Sequence, residues 1–280
     1  MKLTSDVLHL DCPEVEKRLT RFVTDYVQKT QAQGIIVGLS GGIDSSTVAA
    51  LSAKAIGGKN VLGLLLFEKE TRSKKDFSHA QLVARKFDIK TESIDITAPL
   101  DKLYQSISVY DPSDRLSKGN MKARVRMIYN YYYANRLGRL VSGSSDKSET
   151  MMGYFTKWGD IAADISPLMD LYKTQVRELA GRIRIPTEIV QKPSSPALWP
   201  NQLAEDELGI RYEQLDLILY GLEHFMKPEE IANQLAIKRS TVNRIKHRWL
   251  TAEHKRRVLL TAKLEYRTIG TDFRRSEERV

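Results

Sequence analysis

The segment that most constrains this chain is SGGIDSS, Ser40 to Ser46, because of what flanks it. Ile35, Ile36 and Val37 form a short apolar run that breaks into the glycines, and Val48, Ala49, Leu51, Ala53 and Ile56 then lead to Gly57 and Gly58. This is strand, glycine turn, helix. Glycines in such a turn let the backbone close on an anion while N–H groups of the turn and the helix start point at it. A pyrophosphate fits there. The hydroxyls of Ser40, Ser45 and Ser46 add donors, whereas Asp44 has the wrong charge to touch phosphate and makes sense with a Mg2+ ion between them. A bare capped turn needs neither that many hydroxyls nor the acid. The loop is not a Walker A sequence, which ends in GK and a Ser or Thr, nor a GxGxxG dinucleotide fingerprint.

The alternation continues on both sides of this loop. Asp11, Pro13 and Glu14 open a first helix, in which Val15, Leu19, Phe22, Val23, Tyr26 and Val27 recur at helical spacing. Downstream come an apolar strand at Val61 to Phe67, a helix containing Phe77, Ala80, Val83, Ala84 and Phe87, and a strand at Ser93 to Thr97. A long helix from about Asn120 to Leu137 precedes a strand at Leu140 to Ser142, and another helix begins near Asp146. The pattern predicts an α/β fold, a doubly wound parallel sheet with helices on both faces and its ligand in the crevice beyond the strand C-termini. After Gly159, Lys173 to Ile183 reads as helix, Lys192 to Asn201 as a Pro-rich loop, and three helical stretches follow Arg211. We expect a single domain over 1–280, with 211–270 a helical C-terminal segment and 271–280 a charged, mobile tail.

Composition narrows the partners. Lys plus Arg number 44 against 35 for Asp plus Glu, so the net charge of +9 favours polyanions, whether nucleotide or nucleic acid. The one cysteine, Cys12, provides no disulfide framework and no thiolate cluster for zinc or iron and sulfur, and implies a reducing compartment. No signal core, transit pattern or membrane-length apolar run is present, so a cytoplasmic location is expected and a membrane is not expected as a partner.

SGGIDSS resembles the pyrophosphate loop of the N-type ATP pyrophosphatases, which cleave ATP between its α and β phosphates and leave an adenylylated substrate. Within that superfamily, KGNMKARVRM (Lys118 to Met127), KSETMMGYFTKWGD (Lys147 to Asp160), KPSSPALW (Lys192 to Trp199), DELGIRYEQLD (Asp206 to Asp216) and EHKRR (Glu253 to Arg257) resemble, in order and spacing, the ammonia-dependent NAD synthetase family. The likeness runs from about Glu14 to Tyr266. It implies a Rossmann-like ATP pyrophosphatase fold with additional C-terminal helices, a homodimer, and deamido-NAD, ATP and ammonia as substrates. It further implies that Gly38, Leu39, Ser40, Gly41, Gly42, Ile43, Asp44, Ser45 and Ser46, with Ser144, Lys173 and Ser195, contact ATP, and that Asp44 and Glu149 bind Mg2+. Arg124, Tyr131, Tyr154, Lys157, Asp164, His254 and Lys255 fall where the family holds deamido-NAD, the two tyrosines suited to stacking on the pyridine ring.

The expected chemistry needs no enzyme nucleophile. A nicotinate carboxylate attacks the α-phosphorus, charge building on the phosphoryl oxygens is met by Mg2+ and Lys173, and ammonia then attacks the acyl adenylate. Asp160 or Asp164 is expected to orient or deprotonate ammonium. Two departures touch this region. GDIAAD puts Ile161, Ala162 and Ala163 where the family usually has a glycine pair, narrowing that loop, and GSSDKSE from Gly143 stands where GTGNKSE is common.

KPEEIANQLAIKRSTVNRIKHRW (Lys227 to Trp249) has the pattern of a helix-turn-helix DNA reader, with Ala232, Leu235, Ile237, Val242 and Ile245 as its core, but is expected to be an active-site and dimer element. A tRNA-modifying pyrophosphatase would account for the basic charge yet usually needs more than one cysteine, and a non-catalytic nucleic-acid-binding protein has no need of Asp44, Glu149 and Lys173 together. Nucleic acid is therefore not expected as a partner. YNYYY (Tyr129 to Tyr133) is expected to be mostly packing, and Lys69 to Lys75 and Lys192 to Asn201 are polar enough to be lids.

Overall fold

Four parallel strands organise the chain: β1 (Ile35–Gly38), β2 (Val61–Phe67), β3 (Lys90–Asp95) and β4 (Leu140–Ser142), in spatial order β3-β2-β1-β4. The computed structural model describes residues 2–257, 259–264 and 266–267. Side chains alternate across the sheet as strand geometry requires. Ile35, Val37, Val61 and Leu65 enter one core, and Ile36, Leu62 and Leu64 enter the other. The first core is closed by α1 (Cys12–Lys29), α2 (Ile43–Ile56) and α3 (Lys74–Lys86). The opposite face is covered by α4 (Thr97–Ser106) and α5 (Arg115–Leu137), through Leu100, Val125 and Ala134. The sheet is doubly wound, as the sequence predicts.

After β4 the chain is helical. It runs through α6 (Lys147–Met151), α7 (Lys173–Arg182), α8 (Thr187–Val190), α9 (Ala204–Leu208), α10 (Tyr212–Glu223), α11 (Pro228–Gln234), α12 (Arg239–Thr251) and α13 (Glu253–Arg256). α7 and α8 return to the first core with Val176, Leu179 and Ile189, while α10 to α12 build another around Leu215, Ile218, Leu219, Ile231, Val242 and Ile245. That C-terminal core also takes in Leu3, Leu8, Met151 and Met152. The helix-turn-helix-like stretch therefore folds as two helices about a turn at Ala236 (φ 51°), with its apolar side packed on the rest of the protein.

Several boundaries differ from expectation. The strand expected at Ser93 to Thr97 is β3, Lys90–Asp95: an edge strand with a polar outer side carries no apolar run, and Asp95 stops it by accepting the Thr97 N–H (2.9 Å) at the start of α4. α4 was not foreseen. α5 begins at Arg115 rather than near Asn120, because Asp114 caps it through the Ser117 N–H (3.0 Å). Helix in the C-terminal segment ends at Arg256; the described residues among 257–267 form neither helix nor strand, and the tail at 271–280 lies outside the described residues.

Candidate active site

β1 and β4 lie side by side (Ile35 opposite Leu140, Val37 opposite Ser142), yet the chain leaves β1 for β2 on its other flank. This is the topological switch point, where two helices start beside adjacent strand ends. It puts Asp44, in the first turn of α2, beside Glu149, in the first turn of α6. The first residue of α7, Lys173, enters between them with its side chain wholly buried. Its Nζ lies 2.7 Å from Asp44 Oδ2, 2.8 Å from Asp146 Oδ2 and 2.9 Å from Glu149 Oε1.

Three carboxylates around one ammonium leave two negative charges in excess when all three are ionised. Loss of hydration acts to lower the Lys173 pKa, but attraction by Asp146, Asp44 and Glu149 outweighs it and holds the group well above its ordinary value, so Lys173 stays charged. Burial pushes Glu149 well above the usual carboxylate range and Asp146 upward, with Lys173 opposing both. Asp44 Oδ1 is buried without a hydrogen-bond partner among the described residues. Hard oxygen donors, excess negative charge and an open acceptor fit a Mg2+ ion shared with phosphate. No described group of three or more His, Cys, Asp or Glu is arranged to hold a metal by itself, and a Mg2+ completed by phosphate and water needs none.

The neighbouring loop is shaped for an anion. Gly42 is the N-cap of α2 with no side-chain cap, leaving the first N–H groups of the helix free of one. Gly41 has φ 77°, and a Cβ there would sit 2.1 Å from the Asp76 carbonyl oxygen, so only glycine fits. Ser45 Oγ bridges the turn, accepting from the Ser40 N–H (3.2 Å) and meeting Ser40 Oγ at 3.0 Å. Ser144 is half-buried in the turn after β4. Ser195 is exposed, its Oγ accepting the Ala197 N–H (3.2 Å). The loop carrying Ser195 is strapped down: Lys122 Nζ reaches Glu68 (2.7 Å) and the Leu198 carbonyl (2.9 Å), and Arg126 reaches the Pro196 and Ala197 carbonyls (3.4 and 3.3 Å). Lys192 pairs with Asp76 (2.5 Å), whose own carbonyl presses on Gly41.

Two buried acids at this end were not read from the sequence as part of the site. Asp146 is the N-cap of α6, its Oδ1 accepting the Glu149 N–H (2.8 Å). Asp216 on α10 accepts from Ser148 Oγ (2.5 Å) and the Thr174 N–H (2.8 Å), and Ser148 Oγ in turn accepts the Lys173 N–H (3.0 Å). Burial pushes Asp216 up to about 7, against the hydrogen bonds from Ser148 and Thr174. The available signal was position. Asp146 stands three residues before Glu149, where a helix cap belongs, and Asp216 closes one of the segments that carry the family resemblance.

The residues expected at the dinucleotide gather around 153–164, largely bound to one another. Lys255 Nζ donates to the Gly153 carbonyl (2.5 Å) and to that of Phe155; Lys157 Nζ donates to the His254 carbonyl (2.8 Å), and Arg124 to the Lys157 carbonyl (3.2 and 3.3 Å). Tyr154 donates to Glu207 (2.7 Å). Asp164 accepts from Tyr131 (3.2 Å) and from the Val141 N–H on the outer edge of β4 (2.7 Å), which Ile165 bridges at Ser142, so each of its oxygens is engaged. Asp160 reaches solvent and accepts the Thr156 N–H (2.8 Å); loss of hydration raises its pKa, opposed by that bond and by Lys255 and Arg126. Ala163, at the departure from the family pattern, packs against Gly143, where an added Cβ would come within 2.9 Å of it. In YNYYY, Tyr129, Tyr131 and Tyr133 pack on apolar clusters and Tyr132 is exposed.

The chain is similar to known proteins over most of its length. The family described as NAD synthase matches residues 15–259. The NH3-dependent NAD+ synthetase of Hyperthermus butylicus is 43% identical over 258 residues, covering 91% of this chain and 93% of that one. That of Pyrococcus furiosus is 44% identical over 251 residues, 89% and 95% of the two chains. Among solved structures, the NMN synthetase of Francisella tularensis superposes with a TM-score of 0.81 at 32% identity, over 91% of this chain and all 100% of that one. The NH3-dependent NAD synthetase of Campylobacter jejuni, in complex with nitrate, superposes at 0.77 and 26% identity, with the same coverage of 91% and 100%.

Proposed function

The chain belongs to the NAD synthase family, and we propose that it makes NAD from deamido-NAD, ATP and ammonia, releasing AMP and pyrophosphate. The observation that carries this reading is the buried Lys173 ammonium ringed by Asp44, Asp146 and Glu149 where two helices start beside adjacent strands. Asp44 and Glu149 would hold a Mg2+ ion, which when bound supplies charge neutralisation to the phosphoryl oxygens of ATP. The Ser40–Ser46 turn receives the leaving pyrophosphate on the N–H groups opening α2. Lys173 sets a fixed positive charge opposite the α-phosphorus as the nicotinate carboxylate attacks it, in a site whose burial makes that charge effective.

For the second half-reaction, Asp160 is the better candidate to orient and deprotonate ammonium, because it meets solvent whereas both oxygens of Asp164 are engaged. Asp164, fully engaged, acts by fixing Tyr131 beside β4. Normal turnover of both Asp160→Asn and Asp164→Asn at limiting ammonium would remove these roles. We also propose a homodimer, supported by Ile128 (56% exposed) and Tyr132 (67%) one turn apart on α5; a monomer by light scattering at micromolar concentration counts against it. The single buried Cys12 suits a cytoplasmic setting.

The deciding experiment incubates the purified protein with deamido-NAD, ATP, Mg2+ and ammonium, and follows NAD, AMP and pyrophosphate together. Equal yields of all three, abolished in Asp44→Ala, are expected. A parallel arm replaces deamido-NAD with nicotinate mononucleotide, since the Francisella protein is an NMN synthetase. Preference for the mononucleotide would keep the chemistry and change the substrate, and AMP without either amide would overturn the reading.

A further inference from the structure

Lys173 and a metal ion need the same oxygens. Asp44 Oδ2 and Glu149 Oε1 both contact its Nζ, at 2.7 and 2.9 Å, and both belong to the pair assigned above to Mg2+. Two cations cannot share those atoms at full strength, so binding the metal requires the lysine to loosen its hold on them. A buried ammonium deprived of its counter-charges would be strongly disfavoured, and Lys173 has no exposure through which water could replace them.

Asp146 resolves this competition. Its side chain is fully buried, which keeps it from reaching out to the nucleotide, and its Oδ1 is fixed by the Glu149 N–H at 2.8 Å. Its Oδ2 is left facing Lys173 Nζ at 2.8 Å and has no other hydrogen-bond partner among the described residues. The other two partners differ, with side chains 20% and 19% exposed. Beside the buried Tyr212 ring, 5.4 Å from the ammonium, Asp146 is thus the one charged partner of the lysine closed off from solvent. We propose that Asp146 is a positioning residue whose buried carboxylate retains Lys173 while Asp44 and Glu149 are released to Mg2+. The inference rests on the proposed function for the identity of the metal pair, and deepens it by giving the lysine a place to stay.

The test uses Asp146→Asn, which keeps the size and a capping oxygen but replaces the charge, with Asp146→Ser as a second capping variant should the amide not fold. Mg2+ binding to the nucleotide-free protein is measured by calorimetry, and the Mg2+ concentration giving half-maximal NAD formation is measured alongside. Without Asp146, Lys173 should cling to Asp44 and Glu149, so both constants should rise by about tenfold, kcat should fall because Lys173 loses its remaining carboxylate once Mg2+ is bound, and KM for deamido-NAD should stay within about twofold of wild type. A capping residue with no further role would change thermal stability and leave the Mg2+ constants alone. Unchanged Mg2+ binding, or Mg2+ constants that rise only in step with KM for deamido-NAD, overturns the proposal. A wild-type protein that binds Mg2+ but makes no NAD would instead overturn the functional reading and leave the competition for Asp44 and Glu149 standing.

Discussion

At the phosphate end, Lys173 meets three carboxylates; at the dinucleotide end, Lys157, Lys255 and Arg124 meet backbone carbonyls. Both arrangements satisfy the cations, but they differ in what they leave over. Carbonyls carry no net charge, so the second arrangement fastens segments 153–157 and 254–255 together and leaves the lysines' charge in surplus for an anionic substrate. Carboxylates in excess do the reverse, leaving a deficit that only another cation can correct. On the proposed function, the contrast accounts for one end of the site taking a metal and the other a dinucleotide.

The sharpest way to break this comparison is at Lys173. Lys173→Met should destabilise the protein by about 3–5 kcal/mol, because buried carboxylates lose their counter-charge, and should cut ATP–pyrophosphate exchange by about 10^3-fold. Denaturant melts that match wild type would mean the carboxylates are not held as a charged cluster. Next in size is Lys255→Met, which frees the Gly153 and Phe155 carbonyls. A loss of about 1–3 kcal/mol in stability is expected, together with a KM for deamido-NAD raised by roughly tenfold and an unchanged KM for ATP. If stability held while kcat collapsed, Lys255 would be a direct contact of the reacting substrate and the contrast would fail.

A smaller effect concerns pH. Asp216 is raised to about 7 in the folded protein, from an ordinary value of 3.8. Between those values the folded state binds the proton that the unfolded chain has released, so stability falls as pH rises, by up to about 1.4 kcal/mol per pH unit, and levels off above 7. Asp216→Asn should flatten that slope in thermal melts between pH 5 and pH 7, and an unaltered slope would show that another group carries it. Smallest of all, Tyr131→Phe removes one partly exposed hydrogen bond to Asp164 and should cost no more than about 1 kcal/mol, with chemical denaturation as the check.

How much of this was legible depended on whether a feature was local. β2 could be read residue for residue because both its faces are buried and its sequence is an unbroken apolar run. β3 could not, since an edge strand of the form KTESID looks like loop, and α4 hid behind Pro99 and a polar surface. Asp44 and Glu149 each lie in the first turn of a helix that leaves a predicted strand end, so their convergence followed from topology, whereas Lys173 opens a helix that follows a loop and its place came from the family resemblance. Asp146 was read as a helix start inside a departure from the family pattern, but not as a partner of Lys173, 27 positions downstream on another helix. The carbonyl contacts of Lys157 and Lys255 join residues 97 and 102 positions apart, and no local periodicity encodes which carbonyl a distant lysine will find.

Those long-range contacts also impose an order on synthesis. The carbonyls of Thr150, Met151, Met152 and Gly153 are held by Arg256, Arg248 and Lys255, 96 to 106 positions downstream. A chain emerging from the ribosome has the sheet, α6 and α7 before it has α10, whose Asp216 binds Ser148 and the Thr174 N–H, and before the arginines and lysine that clamp 150–153. The last helices to appear therefore act as a latch on a segment translated 96 to 106 positions earlier.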